Sequence, residues 1–117
     1  MQTKAFVCAE GTEKEDLGGG ITRQVLGYNE QIMMVKVWFE QGSEGYIHSH
    51  FHSQVTYIAK GRFEVTVGDE VKTLEEGDCF FMEPNIAHGA LCKEAGLLID
   101  VFSPCREDFI KANSGEN

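Results

Sequence analysis

Basic residues are in short supply. Ten Lys and Arg stand against nineteen Asp and Glu, a formal net charge of -9, so the clustered cations that hold a phosphate backbone are missing and nucleic-acid binding is disfavoured. An anionic small molecule would meet the same repulsive field unless a metal ion or a nearby arginine offset it. Long apolar runs are also missing. The opening segment MQTKAFVCAEGTEKED carries acids early and has no hydrophobic stretch of membrane length, so neither a secretory leader nor a membrane span is expected, and the expected location is cytoplasmic. The four cysteines, Cys8, Cys79, Cys92 and Cys105, lack CxxC spacing and suggest no disulfide framework; in a reducing compartment they read as free thiols. Only two prolines occur beside thirteen glycines and eight phenylalanines, which excludes a collagen-like repeat and fits a turn-rich globular chain.

Helical periodicity is absent over roughly the central hundred residues, where two-residue alternation takes its place, and a helical turn is expected only from about Glu107. The 117 residues suffice for one domain with one core, here 1–117, with an N-terminal edge strand and linker over about 1–17 and a C-terminal tail from about 107. Lys4–Ala9 reads as the short edge strand and Glu10–Asp16 as a connection. Ile21–Tyr28 is a strand turning at Asn29 into Ile32–Phe39, where Val35, Val37 and Phe39 share one face and Lys36 and Trp38 the other. Gln54–Lys60 follows, Gly61 breaks it from RFEVTV, and Gly68 with Asp69 makes a tight turn. Glu70–Leu74, a short buried strand CFFM and a final strand Gly96–Phe102 complete the series. Strands recurring at intervals of roughly 8–12 residues with turn signals between them predict an all-β sandwich or barrel.

Within this pattern, GSEGYIHSHFHSQVTYIAKG (42–61) concentrates three histidines and a glutamine. Side chains at i and i+2 of an extended strand leave the same face, so His48 and His50 can share one divalent ion. A His50 and His52 pair would satisfy the same spacing, although His52 fits the connection toward Gln54. The remaining ligands would come from Gln54 and from the later His88. Imidazole nitrogens at about 2.0–2.1 Å suit zinc, nickel, iron and manganese alike, with positions left open for substrate.

These residues resemble the first cupin motif. Gly42, His48, His50, Gln54 and Gly61 keep every interval of that motif, with glutamine in place of its glutamate. Gly77 and His88 match the second motif, whereas Pro84 is displaced by one position and Cys92 stands where asparagine is usual. The resemblance implies a single-domain jelly-roll β-barrel, also called a double-stranded β-helix. A closer resemblance, carried by GGGITRQVLGYNEQIMMVKVWFEQG, HSHFHSQ, PNIAHGA and above all LIDVFSPCREDF, is to pectin degradation cupins of the KdgF type. It implies a metal site of His48, His50, Gln54 and His88, a catalytic group of Asp100, Phe102 and Arg106, a homodimer, and ring opening of 4,5-unsaturated uronate monosaccharides to linear keto-sugar acids.

Two readings from the residues bear on that expectation. Three neutral imidazoles and a neutral amide leave a bound ion its full double charge, which favours an anionic ligand over the iron dioxygenase alternative. In a strand, Leu98, Asp100 and Phe102 share a face, and an acid beside two apolar residues is costly unless partnered or used. Asp100 could serve as acid-base group or pair structurally with Arg106, whose planar fork also suits a substrate carboxylate; Arg23 is a second candidate cation. A sugar-acid-binding cupin without catalysis is the other alternative.

Overall fold

The computed structural model describes residues 1–114. A single 3-10 turn (Ala9–Gly11) precedes β1 (Glu15–Gly18), β2 (Ile21–Tyr28), β3 (Met33–Phe39), β4 (Glu44–His48), β5 (Ser53–Val67), β6 (Glu70–Glu75), β7 (Cys79–Met82) and β8 (His88–Ser103), and α1 (Glu107–Ser114) closes the chain. All pairings are antiparallel, in the order β1-β2-β3-β8-β5-β6, with β4 added on β8 and β7 on β5.

The architecture follows from the two long strands. β5 and β8 pair along their whole lengths, from Ser53↔Ser103 to Val67↔His88, but the register slips repeatedly between Ile58 and Phe63. Gly61 sits there at φ +91°, where a Cβ would lie 2.6 Å from the Glu94 carbonyl oxygen, and a Cβ on Gly96 would collide with the Lys60 carbonyl. Only glycine admits this backbone approach. The pair bends at this crossing, so each strand serves two sheets. The Gln54 half of β5 and the Phe102 half of β8 lie with β3 and β7, while the Val67 and His88 halves lie with β6 and β4. This is the expected jelly-roll barrel.

Alternation on β3 fills its interior: Met33, Val35, Val37 and Phe39 are buried while Met34 faces out. They join Ile58, Phe63 and Val65 of β5 and Leu98 and Phe102 of β8 in one cluster, with Phe39 and Phe63 edge to face at 5.2 Å between ring centroids. Burying each such side chain stabilises the fold by about 1.5–3 kcal/mol. Phe109 and Ile110 of α1 pack against the same cluster. None of the described helices is long and apolar enough to cross a membrane.

Several expectations need correction. Lys4–Ala9 forms no strand; the edge strand is β1, in the stretch read as a connection, while the preceding segment is fastened when the Gln24 amide donates to the carbonyls of Ala9 and Thr12. Gly61 does not end a strand, because its positive φ bends β5 without breaking the ladder. CFFM is a strand, but only Met82 is buried and Phe81 faces solvent, since β7 lies at a sheet edge with one face uncovered. The last strand begins at His88, eight residues earlier than expected, because Gly96 is a bend inside β8. The four cysteines are free thiols, as expected.

Candidate metal centre

The two sheets bring three histidines together at one end of the barrel. His48 ends β4, and its register partner is His88 at the start of β8. His50 does not lie on the strand, as the i, i+2 spacing suggested. It falls in the irregular link to β5, which is held when the Asn85 N–H donates to the His50 carbonyl at 2.7 Å; Asn85 takes φ +69°, a conformation asparagine tolerates. The candidate ligand nitrogens of His48, His50 and His88 all lie within 4.8 Å of one another. His52 is not in this group: it is buried, stacks on Phe51 at 4.0 Å and turns its ring to the Cys105 backbone.

Hydrogen bonds fix which nitrogen each ring presents. The Nδ1 atoms of His48, His50 and His88 lie 2.8, 3.2 and 2.9 Å from the carbonyls of Tyr46, His52 and Ile86. A carbonyl only accepts, so each neutral ring carries its proton on Nδ1 and has a bare lone pair on Nε2. The Nε2 of His88 is buried without a hydrogen-bond partner. The Nε2 of His50 faces Gln54 Oε1 at 3.0 Å, two acceptors with no proton between them. An isolated pair of this kind repels, whereas a cation shared by the two lone pairs would hold them together. The donor set fits a divalent cation.

Behind the histidines runs a hydrogen-bonded chain. Gln54 Nε2 donates to Thr56 Oγ1 at 2.9 Å, and the Thr56 hydroxyl donates to Asp100 Oδ1 at 2.7 Å. Adjacent strands create this arrangement, with Gln54 opposite Phe102 and Thr56 opposite Asp100. Asp100 shares a cavity of about 90 Å³ with His48, Gln54 and His88, walled by Phe39, Phe80 and Leu98. Although the residue keeps some solvent contact, burial of its carboxyl raises the pKa to about 6; hydrogen bonds from Thr56 and Gln54 and the charge of Arg106 oppose the rise.

Arg106 does not pair with Asp100. Its Nε and Nη2 donate to the Asp108 carboxylate at 3.1 and 2.9 Å, because the α1 helix that follows places Asp108 two residues away. The guanidinium lies 4.2 Å from the Phe109 ring centroid and 5.2 Å from that of Phe102. Phe102 is itself buried and edge-on to His50 at 5.8 Å. Arg23 stands 3.9 Å from the Phe109 ring and pairs with Glu15 at 2.8 Å. Thr56 was missed by the sequence reading, although two-residue periodicity places it on the face of Gln54 and Ile58.

Burial, chiefly, together with the positive Arg106 nearby, holds His50, His52 and His88 below the ordinary imidazole range of 6.5. Groups with depressed folded pKa values stabilise above the unfolded value and lose that contribution as pH falls through the folded one. Asp100 acts in the opposite sense, adding stability as pH falls from about 6 toward 3.8. The chelated protein is therefore expected to lose melting temperature between about pH 7 and pH 6. A flat or rising melting temperature over that interval in thermal scans would contradict this assignment.

Comparison with known proteins gives concordant matches. A family model described as a cupin domain matches residues 35–102. The chain is 42% identical over 109 residues to the pectin degradation protein KdgF of Dickeya dadantii (strain 3937), covering 92% of this chain and 99% of that protein. Among solved structures, an RmlC-like cupin from Shewanella frigidimarina NCIMB 400 aligns at TM-score 0.90 with 53% identity, over 92% of this chain and 97% of the other. KdgF from Halomonas sp. aligns at TM-score 0.86 with 35% identity, over 92% and 99% of the respective chains.

Proposed function

This chain belongs to the cupin family and, within it, to the KdgF pectin degradation proteins, and on that premise we propose that it opens the ring of 4,5-unsaturated uronate monosaccharides from pectin or alginate breakdown, yielding linear keto-sugar acids. The observation that carries this reading is a neutral cation-binding set of three imidazoles and an amide oxygen beside one buried carboxyl with a pKa near 6. Zinc, nickel, iron or manganese held by His48, His50, His88 and Gln54 Oε1 would supply Lewis-acid polarisation of sugar oxygens.

The remaining chemistry falls to the chain. Asp100 as carboxylate accepts the proton of the hemiacetal hydroxyl while the bond from the anomeric carbon to the ring oxygen breaks, leaving an aldehyde and an enolate. The same carboxyl returns that proton to the enolate carbon, which gives the ketone and restores the carboxylate. No oxidant or other reactant is consumed. A pKa near neutrality suits a group that must both take and give a proton. Asp108 occupies Nε and Nη2 of Arg106, leaving Nη1 for the substrate carboxylate, and Phe102 walls the site behind His50.

The test follows the ultraviolet absorbance of the conjugated unsaturated uronate. Its loss on adding protein, abolished by chelation and restored by a divalent ion, is expected. Binding without absorbance loss would leave a sugar-acid-binding cupin, and oxygen uptake by iron-loaded protein would make it a dioxygenase; either outcome overturns the proposal.

A homodimer belongs to the same reading, supported by the outer face of the sheet built from β3, β8, β5 and β7. Met34, Val101, Val55 and Phe81 stand in register across it, and Met34, Val55, Tyr57 and Phe81 are exposed large apolar residues. Light scattering is expected to give twice the chain mass, and Phe81→Glu with Tyr57→Glu to give single chains. Wild-type protein that remains monomeric at micromolar concentration would remove this element.

A further inference from the structure

We infer that Thr56 is a positioning residue, whose hydroxyl decides which atom of Gln54 faces the histidines. This rests on the proposed metal ligation by Gln54. Thr56 is fully buried between two polar neighbours. Its hydroxyl has one proton to give, and Asp100 Oδ1 at 2.7 Å receives it, since a carboxylate can only accept. Toward Gln54, at 2.9 Å, the hydroxyl is left with only lone pairs, so the amide must turn its NH2 group to Thr56. Gln54 Oε1 is then necessarily the atom 3.0 Å from His50 Nε2. A flipped amide would point N–H groups into the space where the histidine lone pairs meet and present a cation with no donor. An amide, unlike a carboxylate, has one ligating end, so the glutamine in this motif needs an orienting partner that a glutamate would not. Thr56 supplies it at 2.9 Å, and Asp100, which also accepts from the Gln54 amide, sets the direction of the whole chain.

The geometry links Asp100 to cation affinity without contact between the two. A partner that orients a ligand typically contributes 10–100-fold in affinity. Thr56→Val keeps the side-chain shape and removes the hydroxyl, and is expected to weaken binding of Zn²⁺ or Ni²⁺ by about 10–100-fold, measured without substrate by competition with a chromophoric chelator. Thr56→Ser, which keeps the hydroxyl, is expected to stay within a few-fold of wild type. Asp100→Asn can still offer Thr56 an oxygen and is expected to bind nearly as wild type, whereas Asp100→Leu, which offers none, is expected to weaken binding as Thr56→Val does. The double variant Thr56→Val with Asp100→Leu is expected to bind no more weakly than Asp100→Leu alone, which already removes both the acceptor for the Thr56 hydroxyl and the direct acceptor for the Gln54 amide.

Wild-type affinity in Thr56→Val, or equal loss in its serine counterpart, overturns the inference; so does equal affinity of Asp100→Asn and Asp100→Leu, an arm that stands if Thr56→Val does not fold. These titrations need no substrate. If they come out as expected while the unsaturated uronate remains unchanged by wild-type protein, the reaction assigned above fails and the role of Thr56 stands.

Discussion

Asp100→Asn is expected to lose ring-opening activity by about 10²–10⁴-fold, the range attributable to one general acid-base group, while its metal content stays at the wild-type level. The substitution preserves size and hydrogen bonding but removes the ability to take and return a proton near neutrality. Asp100 is well suited to this test because its carboxyl has no ion-pair partner among the described residues, and the side chains that donate to it, Thr56 and Gln54, can donate equally well to an amide oxygen. Structural disruption and loss of chemistry therefore separate in two measurements, turnover of the unsaturated uronate and metal analysis of the purified protein. Full activity would remove Asp100 from the reaction. Loss of metal would make its role one of site assembly.

His88→Ala is expected to have the second large effect. This histidine is 4% exposed, and its Nε2 has no hydrogen-bond partner. A buried acceptor left unpartnered costs about 1–3 kcal/mol in the absence of a cation, so the side chain is an encumbrance to the chelated protein and an asset only when a cation engages it. The alanine variant should therefore lose at least about 100-fold in metal affinity, more than an orienting partner contributes, and ring opening should fall with it. Its melting temperature should drop in metal-loaded samples far more than in chelated ones. Equal destabilisation with and without chelator would mean that His88 is only a packing residue.

The strands were legible where a sheet is covered on one face. β3 reads directly from MMVKVWF because its interior and exterior residues alternate, and the shared face of Leu98, Asp100 and Phe102 was read the same way. The extent of β8 was not legible, since glycine at position 96 looks like a terminus in sequence and is a bend in space, set by a crossing with Lys60 that only tertiary structure reveals. The histidines were found for a partly mistaken reason. Two-residue spacing put His48 and His50 on one strand face, yet the strand ends at His48, and the convergence arises from a loop pinned by Asn85. The Arg106 partner was missed because a local Asp108, two residues on, outcompetes a distant acid. Thr56 carried a signal, its place on the face of Gln54, but a threonine in a strand is unremarkable until the sequence-distant Asp100 is set opposite it.

The long ladder between β5 and β8 also orders events in time. At one end, Val67 and His88 are joined by a short excursion through β6 and β7; at the other, Thr56 must find Asp100, 44 residues away in sequence. Closing the shorter loop first costs less entropy, so the ladder is set to zip from the His88 end toward the Asp100 end. On that order the carboxyl, the threonine and the glutamine are expected to come into register after the His88 end, so that a competent site follows the closing of the ladder rather than preceding it.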